Sequence, residues 1–154
     1  MQTSLLPTPE GSQPCFVLPI RVYYEDTDAA GVVYYANYLR FCERARTEWL
    51  RALGFDQRGL LAEGNAAFVV RSVHADYLAP ARLDDRLVVA NTLHDLHGAS
   101  VFFTQRVLRE HDQTLLFVAD IKIVCVNLDQ GRSMRWPESI YAKISAQLQA
   151  SPTP

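Results

Sequence analysis

The chain has 154 residues, of which 49% are hydrophobic and 21% are charged, and its formal net charge is −2. This is the size and composition of one soluble globular domain, and the charge gives no electrostatic basis for binding nucleic acid. No apolar run approaches the roughly 20 residues that a helix needs to cross a bilayer. The N-terminus also lacks the basic start and long apolar stretch of a secretion signal.

The two ends of the sequence differ from the part between them. Residues 1–14 contain three prolines together with Gly, Ser, Thr and Gln, which is typical of a disordered N-terminal tail. Residues 150–154 predict a flexible C-terminal tail. A single domain is therefore predicted over residues 15–149.

The first part of this domain predicts a strand and a long helix. Residues 15–24, CFVLPIRVYY, are β-branched and aromatic and predict the first strand, with Pro19 at an edge or a kink. From Tyr38 to Leu53 apolar residues recur at steps of three and four, which predicts an amphipathic helix that ends at Gly54. The next segment, FDQRGLLAEGN, predicts a short irregular or helical connection.

Beyond Asn65 the sequence is typical of β-strands. Four segments predict an antiparallel run: AFVVRSVHADYLA, RLVVANTLHDL, SVFFTQRVLRE and TLLFVADIKIVCVNL. A final helix is predicted from Pro137 to about Leu148. This order predicts an α+β domain in which the long helix covers one face of the sheet. The last strand is apolar on both faces and is predicted to be central or covered by a second subunit.

The cysteines and histidines give no sign of a metal site. Three cysteines (Cys15, Cys42 and Cys125) are widely spaced and form no CxxC pair. They indicate neither a zinc site nor a disulfide framework, so we expect reduced thiols in a cytosolic protein. The histidines lack the spacing of metal ligands and are expected to be surface or pairing residues: His74, His94, His97 and His111.

An acidic segment with many tyrosines around it lies between the first strand and the long helix. Glu25, Asp26 and Asp28 crowd together, which on pattern alone fits a solvated turn in which Gly31 supplies a positive φ. The segment also leads into a helix N-terminus, whose free N–H groups can stabilise a carboxylate or an oxyanion. The nearby tyrosines can form amphipathic walls: Tyr23, Tyr24, Tyr34, Tyr35 and Tyr38. These are the groups needed to attack a polarised carbonyl.

A long motif across this segment resembles the signature of the hotdog-fold acyl-CoA thioesterases. The pattern D-x-D-x-x-G-[VI]-V-x-[YH]-x-N-Y is matched at Asp26, Asp28, Gly31, Val32, Val33, Tyr35, Asn37 and Tyr38. The sequence is most similar to the YbgC-like type associated with the Tol–Pal envelope system, and it resembles the 4-hydroxybenzoyl-CoA thioesterases more distantly. The resemblance spans roughly residues 18–145. It implies a hotdog fold, in which an antiparallel sheet wraps around one long central helix.

The same resemblance implies the roles of individual residues. Asp28 corresponds to the catalytic aspartate, which acts as nucleophile or as general base toward water. Tyr35 corresponds to the residue whose backbone N–H binds the oxyanion. Many Tol–Pal-type relatives have His at that position, and here Tyr35 keeps the backbone donor without a histidine side chain. The resemblance also implies four substrate-binding residues: Tyr24, Gly31, Val33 and Tyr34.

Partners and location also follow from the resemblance alone. It implies an acyl-CoA substrate, hydrolysed to a free acid and CoA, with no metal or redox cofactor. It implies a homodimer with the active sites at the interface, or a homotetramer of two such dimers. An acyl carrier protein is a further partner of this class. The implied location is the cytoplasm, with peripheral association at the inner membrane.

Two other functions stay open on the sequence. One is a non-catalytic module that binds acyl carrier protein or envelope-assembly partners. The other is a hotdog hydratase or dehydratase, which needs a histidine to move a proton off carbon, and no histidine lies near the acidic segment. The sequence has no G-x-S-x-G nucleophile motif and no glycine-rich phosphate loop. Three arginines suit a CoA phosphate by residue type but stay unassigned: Arg82, Arg86 and Arg106.

Overall fold

The computed structural model describes residues 14–150, with the side chains of residues 63, 149 and 150 outside the description. The predicted tails, residues 1–14 and 150–154, therefore lie almost entirely outside the described residues. The helices and strands follow in the order β1 (Phe16–Arg21), α1 (Asn37–Ala52), α2 (Gln57–Gly64), β2 (Ala66–Tyr77), β3 (Arg86–His97), β4 (Ser100–Arg109), β5 (Leu115–Asn127), β6 (Arg132–Ser133) and α3 (Glu138–Ala150).

The strands form one antiparallel sheet in the order β1-β3-β4-β5-β2, and the two-residue β6 pairs with β5. Strand β5 lies between β4 and β2, which confirms the prediction of a central last strand. Irregular pairing at Val70/Ser72, Leu93/Asp95 and Val107/Leu108 interrupts the register in three of the ladders. Such bulges increase local twist and help a sheet to curl around a helix.

Helix α1 fills the concave face of the sheet and confirms the helix predicted from the apolar spacing. Its apolar stripe is buried, and Trp49 packs edge-on against Phe103 of β4 with ring centroids 5.0 Å apart. The helix ends as predicted, because Gly54 takes the left-handed conformation with φ 96°. Hydrophobic burial of this stripe is the main stabilising term that joins helix and sheet.

A buried polar network also holds α1 against the sheet. Gln105 Nε2 donates to the carbonyl of Cys42 and to Oδ1 of Asn91, while Asn91 Nδ2 donates to the carbonyl of Ala45. Arg46 Nη1 donates to Oε1 of Gln105. Buried amides with satisfied hydrogen bonds specify one arrangement of packed elements. The network therefore fixes how α1 sits on β3 and β4.

Local structure differs from the sequence expectation in the first strand and agrees with it in the connection after α1. The first strand ends at Arg21 rather than Tyr24, because residues Tyr24–Asp26 form a 3-10 turn. The connection after α1 is helical and ends at Asn65, which adopts φ 53°. In the part of the chain that the structure describes, no helix is long and apolar enough to cross a membrane.

Candidate active site

The three acidic residues of the loop before α1 have different surroundings. Asp26 is buried, and its Oδ2 accepts a hydrogen bond of 2.8 Å from the N–H of Tyr23. Its carbonyl accepts from the N–H of Tyr34 and from Nδ2 of Asn37. Asp26 thus ties the loop to the start of the helix, whereas Glu25 is exposed. The first aspartate of the motif is structural.

Asp28 is exposed and is held by its own turn. Its Oδ1 accepts a 2.9 Å hydrogen bond from the N–H of Ala30, and its N–H donates to the carbonyl of Val32. The N–H of Gly31 donates to the Asp28 carbonyl, and Gly31 adopts φ 78°, as the turn requires. Within residues 14–150, Oδ2 of Asp28 receives no hydrogen bond. One carboxylate oxygen is therefore anchored and the other is available for chemistry.

The start of α1 leaves backbone donors without acceptors. The N–H of Tyr34 is bonded to Asp26, and that of Asn37 to the Tyr34 carbonyl. Between them, the N–H groups of Tyr35 and Ala36 donate to no acceptor in the described region. Unpaired donors at a helix N-terminus carry partial positive charge and favour an anion. The arrangement can therefore stabilise an oxyanion next to the Asp28 turn.

The tyrosines around this end divide into exposed and buried groups. Tyr34 and Tyr35 are exposed, with ring centroids 4.7 Å apart. Tyr38 is buried, stacks on Phe117 at 5.1 Å and accepts a hydrogen bond from the N–H of Ala81. Burial raises the pKa of Tyr38. Tyr38 is therefore part of the core, and only some of the predicted aromatic wall faces solvent.

The remaining residues predicted to contact substrate are not all close together. Tyr24 is 84% exposed in the 3-10 turn and makes no ring–ring contact within the described residues. Val33 is buried in the core and donates its N–H to the Ala81 carbonyl. Asp28, Gly31, Tyr34 and Tyr35 share the loop that leads into α1. Val33 anchors that loop from behind.

Sequence reasoning did not find Tyr77. This residue ends β2, and its hydroxyl donates a 3.0 Å hydrogen bond to the carbonyl of Tyr35. Its ring also packs edge-on against Phe117 at 5.0 Å. The two tyrosines are 42 positions apart, so no local pattern could have connected them.

The histidines of the sheet lie away from this site. His94 contacts Thr104 on β4, and Thr104 donates to Asp120 on β5. Gln105, the next residue on β4, reaches α1, so Thr104 faces the opposite side of the sheet. His74 pairs across the strands with Asp120 on that outer side. No group of three or more potential metal ligands occurs among the described side chains.

The chain is similar to known thioesterases in both sequence and structure. Residues 22–144 match the Thioesterase-like superfamily. The acyl-CoA thioesterase YbgC of Haemophilus influenzae is 46% identical over 127 residues, covering 82% of this chain and 92% of that protein. The acyl-CoA thioester hydrolase YbgC of Escherichia coli is 48% identical over 128 residues, covering 83% and 94%. The crystal structure of a 1,4-dihydroxy-2-naphthoyl-CoA thioesterase from Synechocystis has a TM-score of 0.79 and 27% identity, covering 84% of this chain and 95% of that one.

Proposed function

Because the chain belongs to the thioesterase-like superfamily and is a thioester hydrolase with the predicted hotdog fold, we propose that its Asp28 and the start of α1 hydrolyse an acyl-CoA to a free carboxylic acid and CoA. The observation that carries this proposal is the Asp28 turn itself. One carboxylate oxygen is anchored by Ala30, and the loop runs directly into a helix start with unpaired N–H groups. A nucleophile or base beside an oxyanion site is the minimum needed for acyl transfer.

The proposed reaction begins with the thioester carbonyl at the start of α1. The N–H of Tyr35 donates to the carbonyl oxygen, and this hydrogen bond strengthens as negative charge develops there. Asp28 either adds to the carbonyl carbon or takes a proton from a water that adds. In both routes the tetrahedral intermediate collapses by breaking the C–S bond, and CoA leaves as a thiolate. Thiolates are stable enough near neutral pH that no strong acid is required beside the sulfur.

Asp28→Asn tests the assignment most directly. The amide keeps the shape and the hydrogen bond from Ala30, but it is a poor nucleophile and base. We expect kcat to fall by at least about 100-fold, with the melting temperature nearly unchanged because Asp28 is exposed. The measurement is thiol release from short, long and aromatic acyl-CoAs. Glu25→Gln, an exposed neighbour in the same loop, is the matched control and should keep its activity. Near-wild-type turnover of folded Asp28→Asn would show that the reaction does not use this carboxylate.

Isotopic oxygen separates the two possible roles of Asp28. In a single turnover in H2¹⁸O, attack by Asp28 forms a mixed anhydride, and water adding to its aspartyl carbonyl leaves label in Asp28. If Asp28 only activates water, the label enters the product acid alone. Label in the Asp28 peptide, read by mass spectrometry, identifies the covalent route, whereas water that adds to the acyl carbonyl of the anhydride labels only the acid, as the general-base route does. Either result is compatible with the proposed hydrolysis.

The substrate wall is proposed from the residues of the same loop. Tyr34 and Gly31 are exposed beside Asp28, and Val33 anchors the loop in the core. We propose Tyr24 as an outer contact, since it is almost fully exposed on the turn that precedes Asp28. Tyr24→Ala should then raise KM for acyl-CoA while leaving kcat nearly constant. A parallel assay with acyl groups on acyl carrier protein reveals whether that carrier is also a substrate.

We further propose that two subunits pair through β2 and that two such dimers form a tetramer. The support is the position of β2 at the edge of the sheet, where Val69, Val70 and Val73 are exposed. An apolar edge strand favours pairing with a second strand. Light scattering after gel filtration gives the mass directly, and a species of 17.4 kDa would contradict the proposal. By the same family resemblance, we propose a cytoplasmic protein that associates peripherally with the inner membrane.

A further inference from the structure

Tyr77 connects the edge strand of the sheet to the start of the catalytic helix. It is the last residue of β2, and its hydroxyl donates a 3.0 Å hydrogen bond to the Tyr35 carbonyl. Tyr35 is also the residue whose N–H is the proposed oxyanion donor. The bond therefore fixes the backbone at the residue where transition-state charge would be stabilised.

The Tyr77 ring is itself held in place by other aromatic rings. Its centroid lies 5.0 Å from that of Phe117, 5.6 Å from that of Tyr38 and 6.3 Å from that of Tyr35. The Tyr77 backbone pairs with Phe117 of β5. Because a tyrosine has only two side-chain torsions, these contacts leave the hydroxyl little freedom. Burial raises the Tyr77 pKa above its usual value of 10.0, so the hydroxyl keeps its proton across the neutral range.

The peptide unit between Tyr35 and Ala36 gains from this hydrogen bond. Its carbonyl accepts from Tyr77, and its N–H, on Ala36, has no acceptor in the described part of the chain. A hydrogen bond at the carbonyl polarises an amide and makes its N–H a stronger donor. The same bond restrains the torsion angles of Tyr35, which determine where the Tyr35 N–H points. Small errors in the position of such donors are costly to the reaction rate.

We propose that Tyr77 is a positioning residue, whose hydroxyl holds the Tyr35 carbonyl so that the N–H groups of Tyr35 and Ala36 face the oxyanion of the acyl-CoA reaction. The inference rests on the proposed function and names a further residue of that site. Tyr77 is not assigned a contact with the reacting atoms. It acts on them through the backbone of Tyr35.

The test is Tyr77→Phe, which removes one oxygen atom and keeps the aromatic packing. We expect kcat to fall about tenfold, less than the loss from removing an oxyanion donor itself, with KM within about twofold of wild type. The melting temperature should change little, because the aromatic packing remains. Tyr141→Phe, at another half-exposed tyrosine on α3, is the matched control and should behave as wild type.

A backbone NMR readout separates positioning from a general structural effect. In Tyr77→Phe the carbonyl of Tyr35 loses a hydrogen bond. The amide ¹⁵N resonance of Ala36, which belongs to the same peptide unit, should therefore shift, while resonances in the body of α1 stay in place. Wild-type kcat in Tyr77→Phe would overturn the inference. So would a rise in KM at unchanged kcat, which would make Tyr77 a substrate contact, or a fall in kcat with an unmoved Ala36 resonance. If the wild-type protein hydrolyses no acyl-CoA, it is the proposed function that fails.

Discussion

The start and the body of α1 differ in burial and in hydrogen bonding. At the start, the N–H groups of Tyr35 and Ala36 lack acceptors in the described structure, and the Tyr35 ring is 62% exposed. In the body, Phe41, Cys42 and Ala45 are fully buried, and the sheet even donates extra hydrogen bonds to two carbonyls of the helix. Burial raises the pKa of the Cys42 thiol to about 12, so this thiol stays protonated and unreactive at neutral pH.

Under the proposed function, this difference assigns stability and chemistry to different parts of one helix. The body contributes buried area and a satisfied polar network, which hold the helix in one position. The start leaves the N–H groups of Tyr35 and Ala36 and one oxygen of the exposed Asp28 carboxylate without a partner in the described structure, which makes them available to bind a developing charge. Changes in the body should therefore alter the free energy of unfolding, and changes at the start should mainly alter kcat.

Phe41→Ala should give the largest stability change. Phe41 is fully buried, packed edge-on against Tyr38 with centroids 6.1 Å apart, and its removal leaves a cavity in the core. We expect a loss of about 3–5 kcal/mol in the free energy of unfolding, measured by urea denaturation. Leu39→Ala, at an exposed position on the same helix, is the control and should cost much less. A similar cost for both variants would contradict the buried role of Phe41.

The Phe41→Ala protein also tests the separation of roles. Assayed at a temperature where it is fully folded, it should retain kcat within about threefold of wild type, because the loop that holds Asp28 is untouched. A much larger loss of kcat in the folded variant would show that the body of the helix controls the chemistry as well.

Gln105→Leu should give a smaller loss of stability. Gln105 is fully buried, and its removal leaves Oδ1 of Asn91 and Nη1 of Arg46 without this partner. Each buried group left unpaired costs about 1–3 kcal/mol, and the added apolar contacts recover part of that loss. We expect a net loss of about 2 kcal/mol in urea denaturation with little change in kcat.

A double variant tests whether the loss of stability in Gln105→Leu comes from its hydrogen bond with Asn91. In Gln105→Leu alone, Oδ1 of Asn91 is left without its donor. Adding Asn91→Val removes that unpaired amide as well. The double variant should cost less than the sum of the two single variants, since coupled partners are not additive. Strict additivity would mean that Asn91 and Gln105 act independently and that the hydrogen bond between them contributes little.

The parts of the fold that sequence reasoning predicted are those specified by local patterns. Apolar spacing predicted α1 to within one residue at each end, because it records which face of the helix is buried. The β-branched and aromatic segments after Asn65 predicted β2, β3, β4 and β5. The 3-10 turn at Tyr24–Asp26 was missed because its cause is a side chain. The Asp26 carboxylate captures the N–H of Tyr23 and turns the chain away from the strand.

The candidate site was predicted unevenly for a related reason. Asp28 and Tyr35 came from a contiguous motif, and their proposed roles stay predictions. Tyr38 belongs to the same motif but packs in the core, because its ring stacks on Phe117. Phe117 lies 79 residues further along the chain, so no local pattern near Tyr38 predicts this contact. Tyr77 and the Asn91–Gln105 pair depend on contacts across the sheet in the same way.

Gly31→Ala should have the smallest effect on the free energy of unfolding, and it should also lower kcat. At φ 78° an alanine is strained, although nothing lies within 4 Å of the new Cβ. We expect a loss of about 1–2 kcal/mol from backbone strain alone. Gly64→Ala is the matched control, because Gly64 also has open space around it and does not have a positive φ. That variant should be neutral or slightly stabilising, since alanine favours a helix more than glycine does.

The Gly31 series also reports on the turn that holds Asp28. The Gly31 N–H donates to the Asp28 carbonyl, so relief of strain in Gly31→Ala would move the carboxylate relative to the helix start. We expect kcat to fall by more than the small loss of stability alone would cause. Gly31→Asn should recover part of both losses, because asparagine adopts positive φ more readily than alanine. If Gly31→Ala and Gly31→Asn lose kcat equally at equal stability, side-chain bulk at the site is the cause rather than the conformation of the turn.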